Sequence, residues 1–334
     1  MSENRSTNII SLRDLAIGHV KNQPLLRDIN LTVRTGEMVA LIGRNGTGKS
    51  TLLKSMIGLL PLISGSCFLD GAGLETYDLR LRARKLSYVS SHFSHLPSIS
   101  VREVVSLGRM PFTGFTGRLT GQDQIRIERA LEEVRMSSFA ERKLEHLSDG
   151  ERQRSMIARA LAQDTPLMVL DEPTAFLDIP NKYDLIQLLS GFRDQGKSIV
   201  YSTHDLDTAM HCADKIWVIY QDKILEGAPE DLGISGLFDV LFASEGVKYD
   251  QLSMRFRYAA ASKGSVKLDG GEGKELLWTR SAIERLGFQL DDSGSIHIKV
   301  QETGPATSWV LKKEGQSHEF QNLYNLARFL NHID

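Results

Sequence analysis

The stretch from Glu37 to Leu60, EMVALIGRNGTGKSTLLKSMIGLL, constrains this chain more than any other. Met38 to Ile42 is a short apolar, β-prone run. Gly43, Arg44, Asn45, Gly46, Thr47, Gly48, Lys49 and Ser50 then fill the pattern G-x-x-x-x-G-K-[ST], and Thr51 follows in a helix that Pro61, Ser64 and Gly65 are expected to end. A strand, a glycine turn and a helix in that order make a phosphate cradle. The glycines let successive backbone N–H groups point inward, and the helix adds its positive N-terminal end. Lys49 supplies a point charge for the β and γ phosphates of a nucleotide, and the Ser50 hydroxyl is placed to ligate Mg²⁺.

The remaining chain alternates strand and helix around this element. Residues 8–33 read as two antiparallel strands joined by a turn at Lys21 to Pro24. SGSCFLDG and KLSYVS are further strand candidates, with a basic connector from Leu79 to Arg84 between them. From Ser91 to Leu119 the texture changes to Ser, Gly, Phe and Pro around the amphipathic segment VREVVSLGRM, as expected of an inserted subdomain. Phe93, Leu96, Phe112 and Phe115 there either seat a helix of a partner or pack the subdomain itself. Gly121 to Met136 reads as a helix with Ile125, Leu131 and Val134 on its apolar face. LSDGERQR opens another helix, and PLMVLDEP is an apolar strand ending on Asp171 and Glu172. A strand so uniformly apolar belongs inside a parallel sheet, where carboxylates at its C-terminal end sit at the edge that carries the chemistry of α/β folds. NKYDLIQLLSGFRDQG is a helix stopped by Gly196, and SIVYSTH is a buried strand ending on His204. The alternation predicts a mostly parallel α/β domain with one P-loop and no internal repeat.

At 334 residues the chain exceeds the usual size of one domain. A second, small α+β domain is expected over 249–334. There Ser281 and Glu284 suggest a capping box and Gly287 a helix stop. Ile296, Ile298 and Val300 alternate as a strand, Trp309 to Leu311 reads as another, and Phe320, Leu323, Tyr324, Ala327 and Leu330 suggest a shared helical face. The net charge of −2 provides no basic field for nucleic acid or anionic lipid. Cys67 and Cys212 lie far apart without C-x-x-C spacing, so both are expected as packed thiols in a reducing compartment. The first residues lack the pattern of a signal peptide, and no run approaches the roughly 18 apolar residues that would cross a bilayer.

Taken in order, GRNGTGKST, LSDGERQR, VLDEP, the Asp178 of TAFLD and STHD resemble the ATP-binding subunits of ABC transporters. The resemblance covers residues 8 to about 240. It is nearest to subunits that power uptake of ferric siderophores, haem and cobalamin, because SLGRMPFTGFTGRLTGQDQ and LEGAPEDL look like theirs. The appendage from 249 carries no motif of that set, and its role stays open between regulatory and structural.

The resemblance implies an ABC-type nucleotide-binding domain over 8–245, with a small antiparallel β subdomain and an inserted helical subdomain at about 92–160. It implies ATP and Mg²⁺ as cofactors. Asp171 would hold Mg²⁺ directly or through water, with Ser50. Glu172 would act on the attacking water as general base or by orienting it, and His204 would contact the γ phosphate beside Lys49. Two chains would associate head to tail, so that Ser148 and Gly150 of one complete the phosphate shell of the other, with Asp178 at the same interface. The implied partners are transmembrane permease subunits, the second nucleotide-binding subunit and, indirectly, an external substrate-binding protein. The implied place is the cytoplasmic face of the membrane. The alternative is an ABC-type ATPase, not membrane-bound, that acts on nucleic acid or ribosomes.

The chain departs from the family pattern in three places. His19 stands where an aromatic ring usually stacks on adenine. Ser90, Ser91 and His92 stand at the loop that usually supplies a glutamine, leaving a water or His92 in its place. Asp149 replaces the commoner glycine of the signature, adding a negative charge near the γ phosphate.

Overall fold

The computed structural model describes residues 7–20, 23–90, 98–114, 116–175, 177–241, 247–250, 255–258, 263–270, 273–303 and 306–333. The chain divides into two compact units, Met1–Ser235 and Gly236–Asp334.

In the first unit, β1 (Asn8–Ile17) and β2 (Leu26–Arg34) precede the P-loop strand β3 (Met38–Ile42) and its helix α1 (Lys49–Met56). Then come β4 (Ser64–Leu69), β5 (Ala72–Gly73), α2 (Leu79–Ala83) and β6 (Leu86–Val89). Three helices follow, α3 (Val101–Ser106), α4 (Gly121–Glu133) and α5 (Asp149–Ala162). The unit closes with β7 (Leu167–Leu170), α6 (Ile179–Asp194), β8 (Ser198–Thr203), α7 (Leu206–Cys212), β9 (Lys215–Tyr220), β10 (Lys223–Gly227) and α8 (Pro229–Ile234).

Two sheets result. The central one has the order β10-β9-β3-β8-β7-β6 and is parallel except for β10. Its strands β3, β7 and β8 are buried along their whole length, which explains why MVALI, LMVL and SIVYST read as apolar runs instead of alternating. The other sheet, β2-β1-β4-β5, is antiparallel, and its inward residues Ile10, Leu12, Leu15 and Ile29 join Leu41, Leu52 and Val169 in one core.

Capping boxes begin all three helices of the inserted region: Ser100 with Glu103, Thr120 with Asp123, and Ser148 with Glu151. The three helices pack against one another, and Val101, Val104, Leu131 and Ile157 are buried among their apolar residues. A buried ion pair ties this layer together. Arg109 Nε donates to Asp123 Oδ1 at 2.8 Å and its Nη1 to the Ala162 carbonyl at 2.8 Å, while the guanidinium lies 4.0 Å from the centre of the Phe112 ring.

Several local expectations need correction. Helix α1 ends at Met56, before Pro61, because Gly58 adopts φ +75 and breaks the helical path. On α4 the buried face is Asp123, Ile127, Ala130 and Leu131, continued by Val134, whereas Ile125 is exposed. The helical wheel decides this: Ile125 lies more than 100° from the centre of the face that Leu131 and Val134 define. Phe112, half-buried, lies against the guanidiniums of Arg84 and Arg109. Cys67 is buried as expected, but Cys212 is only half-buried. Phe93, Leu96 and Phe115 lie outside the described residues.

The second unit contains α9 (Leu237–Leu241) and a hairpin of β11 (Val247–Asp250) and β12 (Arg255–Tyr258). It continues with β13 (Ser265–Asp269), α10 (Lys274–Arg285), β14 (Gln289–Leu290), β15 (Ile296–Thr303), β16 (Ala306–Lys313), β17 (Gln316–Phe320) and α11 (Leu323–Asn331). A five-stranded sheet, β14-β13-β15-β16-β17, carries Ile296, Ile298, Val300, Trp309 and Leu311 on the face that packs with Ile283, Leu326 and Leu330 of the two helices. Helix α10 starts at Lys274, so Ser281 lies inside it and caps nothing, while Gly287 at φ +90 does follow its end. On α11 the buried positions are Leu326 and Leu330. Tyr324 is exposed, and Phe320 belongs to β17.

Candidate functional site

The parallel register brings three chain segments to one edge of the central sheet. Ile42 of β3 pairs with Thr203 of β8, and Leu170 of β7 pairs with Tyr201, so the P-loop, Asp171–Glu172 and His204 all leave the sheet at its C-terminal edge. In the P-loop, Arg44, Asn45 and Gly46 are exposed, Thr47, Gly48 and Ser50 half-buried, and Gly43, Lys49 and Thr51 buried. Gly48 must be glycine: it has φ +104, and an added Cβ would sit 2.7 Å from Leu25 Cδ2. Thr47 closes the turn, donating both its N–H and its hydroxyl to the Arg44 carbonyl.

Lys49 and Glu172 face each other. The Lys49 ammonium, only 5% exposed, donates to the Gly43 carbonyl at 2.9 Å and lies 3.6 Å from Glu172 Oε1. Asp171 turns the other way and is 1% exposed. Its partners are hydroxyls. Ser202 Oγ donates to Oδ1 at 2.7 Å, and Tyr88 OH donates to Oδ2 at 3.4 Å. Burial and the neighbouring Asp171 carboxylate push the Tyr88 phenol up, so it stays a donor. Ser202 Oγ also accepts the Glu172 N–H at 2.8 Å. Glu172 itself has φ +47, the left-handed conformation that non-glycine residues seldom adopt.

The other expected residues are placed as follows. His19 is exposed, with Nε2 3.4 Å from the Thr51 hydroxyl at the start of α1, so it stands beside the cradle. His204 is exposed and precedes Asp205, the N-cap of α7. Asp205 is held by Lys182 of α6 and by the Thr208 hydroxyl, while its N–H donates to Thr203 Oγ1 at 3.0 Å. Asp178 caps α6 by accepting the Asn181 N–H at 3.0 Å. Ser148 caps α5, where its hydroxyl and N–H both donate to Glu151. The Asp149 carboxylate pairs with Arg152 at 3.2 Å. A Cβ on Gly150 would lie 3.6 Å from Leu177 and 3.9 Å from Asn181, so the signature segment borders the start of α6. Among the described residues no hydrogen bond or ion pair joins Ser148, Asp149 or Gly150 to the P-loop of the same chain. Ser91 and His92 lie outside the described residues.

Sequence reasoning missed two contributors, Ser202 and Tyr88. The available signal was a serine within an otherwise apolar buried strand, SIVYST.

Comparison with known proteins agrees with this architecture. Residues 26–175 match the ABC transporter family, and residues 263–331 match the iron ABC transporter C-terminal domain, which accounts for most of the appendage. The petrobactin import ATP-binding protein FpuC of Bacillus anthracis is 34% identical over 222 residues, 66% of this chain and 82% of that protein. The iron(3+)-hydroxamate import ATP-binding protein FhuC of Bacillus subtilis is 37% identical over 203 residues, 60% of this chain and 75% of its own. Among solved structures, the dimeric bacterial ABC transporter cassette MJ0796 superimposes with a TM-score of 0.59 at 27% identity, over 66% of this chain and 98% of that one.

Proposed function

The chain belongs to the ABC transporter family as an ATP-binding subunit, and from that premise we propose that it hydrolyses MgATP to power a membrane importer of ferric siderophore, haem or cobalamin type cargo. The observation that carries the ATPase is the facing pair Lys49 and Glu172, set beside buried Asp171 at the mouth of the P-loop. The cargo class rests on relatives named for petrobactin and iron(3+)-hydroxamate import.

Lys49 exchanges its bonds to the Gly43 and Arg44 carbonyls for the β and γ phosphates, which the N–H groups of Gly46 to Thr51 surround. That exchange frees Glu172, whose carboxylate then holds the attacking water, as its base or by orienting it. His204 donates to the γ phosphate, and His19 lies against the base. The donor set fits Mg²⁺: Asp171 is a buried carboxylate whose partners among the described residues are hydroxyls, and with Ser50 it offers hard oxygen ligands. When bound, the ion neutralises charge that develops on the phosphates.

Ser148 and Gly150 complete the phosphate shell from a second copy, with Asp178 at the same seam. Closure of the dimer follows nucleotide, and hydrolysis reopens it. Permease subunits hold the protein at the cytoplasmic face of the membrane and take up that motion, and an external binding protein delivers cargo to them. Among the described residues no helix is long and apolar enough to cross a membrane. Residues 8–245 do this work in our reading, with about 92–160 as the helical subdomain and 249–334 as a separate appendage.

The test is Glu172→Gln in the partner-bound complex. Turnover should fall by about 10²- to 10⁴-fold while MgATP binding survives. Equal loss of both would remove Glu172 from the chemical step.

A further inference from the structure

The geometry points to Ser202 as the positioning residue that sets the direction of the Glu172 carboxylate, and this rests on the role given to Glu172 above. Ser202 is fully buried in β8, between Ile199, Val200 and Tyr201 before it and Thr203 after. A hydroxyl inside so apolar a strand is costly unless it is bonded. Both of its bonds go to the site. It donates to Asp171 Oδ1 at 2.7 Å and accepts the Glu172 N–H at 2.8 Å.

These two bonds fix the peptide that joins the carboxylates. Asp171 is held down against the sheet. Glu172, at φ +47, is turned the opposite way, so that its Oε1 reaches Lys49 at 3.6 Å. A left-handed glutamate persists only where its surroundings determine it. The constraints here are the Ser202 bond to its N–H and the bond from Ala175 N to its carbonyl at 3.1 Å. Register makes the serine the right reach: Leu170 pairs with Tyr201 on the β7 side, so Ser202 lies level with Asp171, and Leu41 of the P-loop strand pairs with Ser202 itself on the other. One residue thus joins the two strands, by its side chain to the acid-ended strand and by its main chain to the strand that carries the P-loop. Without its hydroxyl the Glu172 N–H loses its acceptor, the left-handed turn relaxes, and the carboxylate that holds water drifts.

Ser202→Ala, Ser202→Thr and Glu172→Gln, each in the full-length chain with its membrane partners, test this together. A misplacement of about 1 Å is worth up to about 100-fold in rate, so Ser202→Ala should lower kcat by about 10- to 100-fold. The KM for ATP should change by less than about twofold, since the phosphate contacts are intact. Ser202→Thr, which restores the hydroxyl, should recover most of kcat at an equal melting temperature. A general loss of packing would not give that split or that rescue. If alanine prevents folding, Ser202→Cys keeps the volume with a far weaker acceptor and should show the same fall in kcat. Native turnover in folded Ser202→Ala or Ser202→Cys, a rise in KM matching the loss of kcat, or a folded threonine variant as impaired as alanine would each overturn the inference. Should Glu172→Gln itself turn over normally, the role of Glu172 fails as well, whereas its loss beside an active Ser202→Ala sinks only the inference about Ser202.

Discussion

Arg109→Met removes the buried guanidinium of the inserted helical region while roughly keeping its bulk. In the native protein both members of the Arg109–Asp123 pair are about 5% exposed. Arg109 makes two hydrogen bonds of 2.8 Å and stacks 4.0 Å from the Phe112 ring centre. Its loss leaves Asp123 Oδ1 charged and unpaired in a dry site, and it strips the Ala162 carbonyl at the end of α5. Breaking a buried pair from one side costs about 3–5 kcal/mol. The lower end applies, because Thr120 N–H and Oγ1 still bind Asp123 Oδ2 at 2.9 and 2.6 Å. For a unit spanning Met1–Ser235, about 3 kcal/mol lowers the melting temperature by about 6–12 °C. Thermal unfolding of the full-length chain, followed by circular dichroism, measures it. Adding Asp123→Asn removes the orphaned charge and should recover at least about 1 kcal/mol. A midpoint within about 2 °C of native for Arg109→Met, or no recovery in the double variant, would refute the claim that this pair holds the helical layer together.

Acid should weaken the same joint. The Thr120 hydroxyl, opposed by burial and aided by the Thr120 N–H and Arg109, holds the Asp123 carboxyl at about 2, below its ordinary 3.8. A carboxyl depressed on folding contributes stability above pH 3.8 that is lost as pH falls toward 2. Urea titrations across that window should show a steeper loss in native protein than in Asp123→Asn, and parallel curves would refute it. Cys67 is buried with its Sγ 3.2 Å from the Met56 carbonyl, and burial, then Glu75, against Arg82, pushes its thiol up to about 12. It should therefore resist alkylation at pH 8 until the chain unfolds, which mass spectrometry of trapped protein reads; modification at the native rate of an exposed thiol would contradict its burial.

The parts of the fold that were legible are those fixed by local pattern. MVALI, LMVL and SIVYST have no polar face to show, so burial on both sides followed from the letters alone, and Asp171 and Glu172 stood out by ending such a strand. The antiparallel pair β1 and β2 was visible in alternation. What escaped depended on contacts between segments distant in sequence. Ser202 reads as one more strand residue until β8 is laid beside β7, and no local pattern joins Arg109 to Asp123 until the fold brings them together. Conformation at single glycines also decided boundaries, since Gly58 ended α1 early and Gly273, at φ +101, let α10 begin before Ser281. Asp149 pairs with Arg152 one turn along its own helix, a contact that the spacing i, i+3 made legible.

One purification tests the assembly of this subunit with a membrane permease. Tagged Glu172→Gln protein, held closed with MgATP, is recovered from detergent-solubilised cells and its companions identified by mass spectrometry. A polytopic membrane protein should be recovered in stoichiometric amount. Recovery of ribosomal or DNA-processing proteins alone, with no membrane partner, would contradict that assembly.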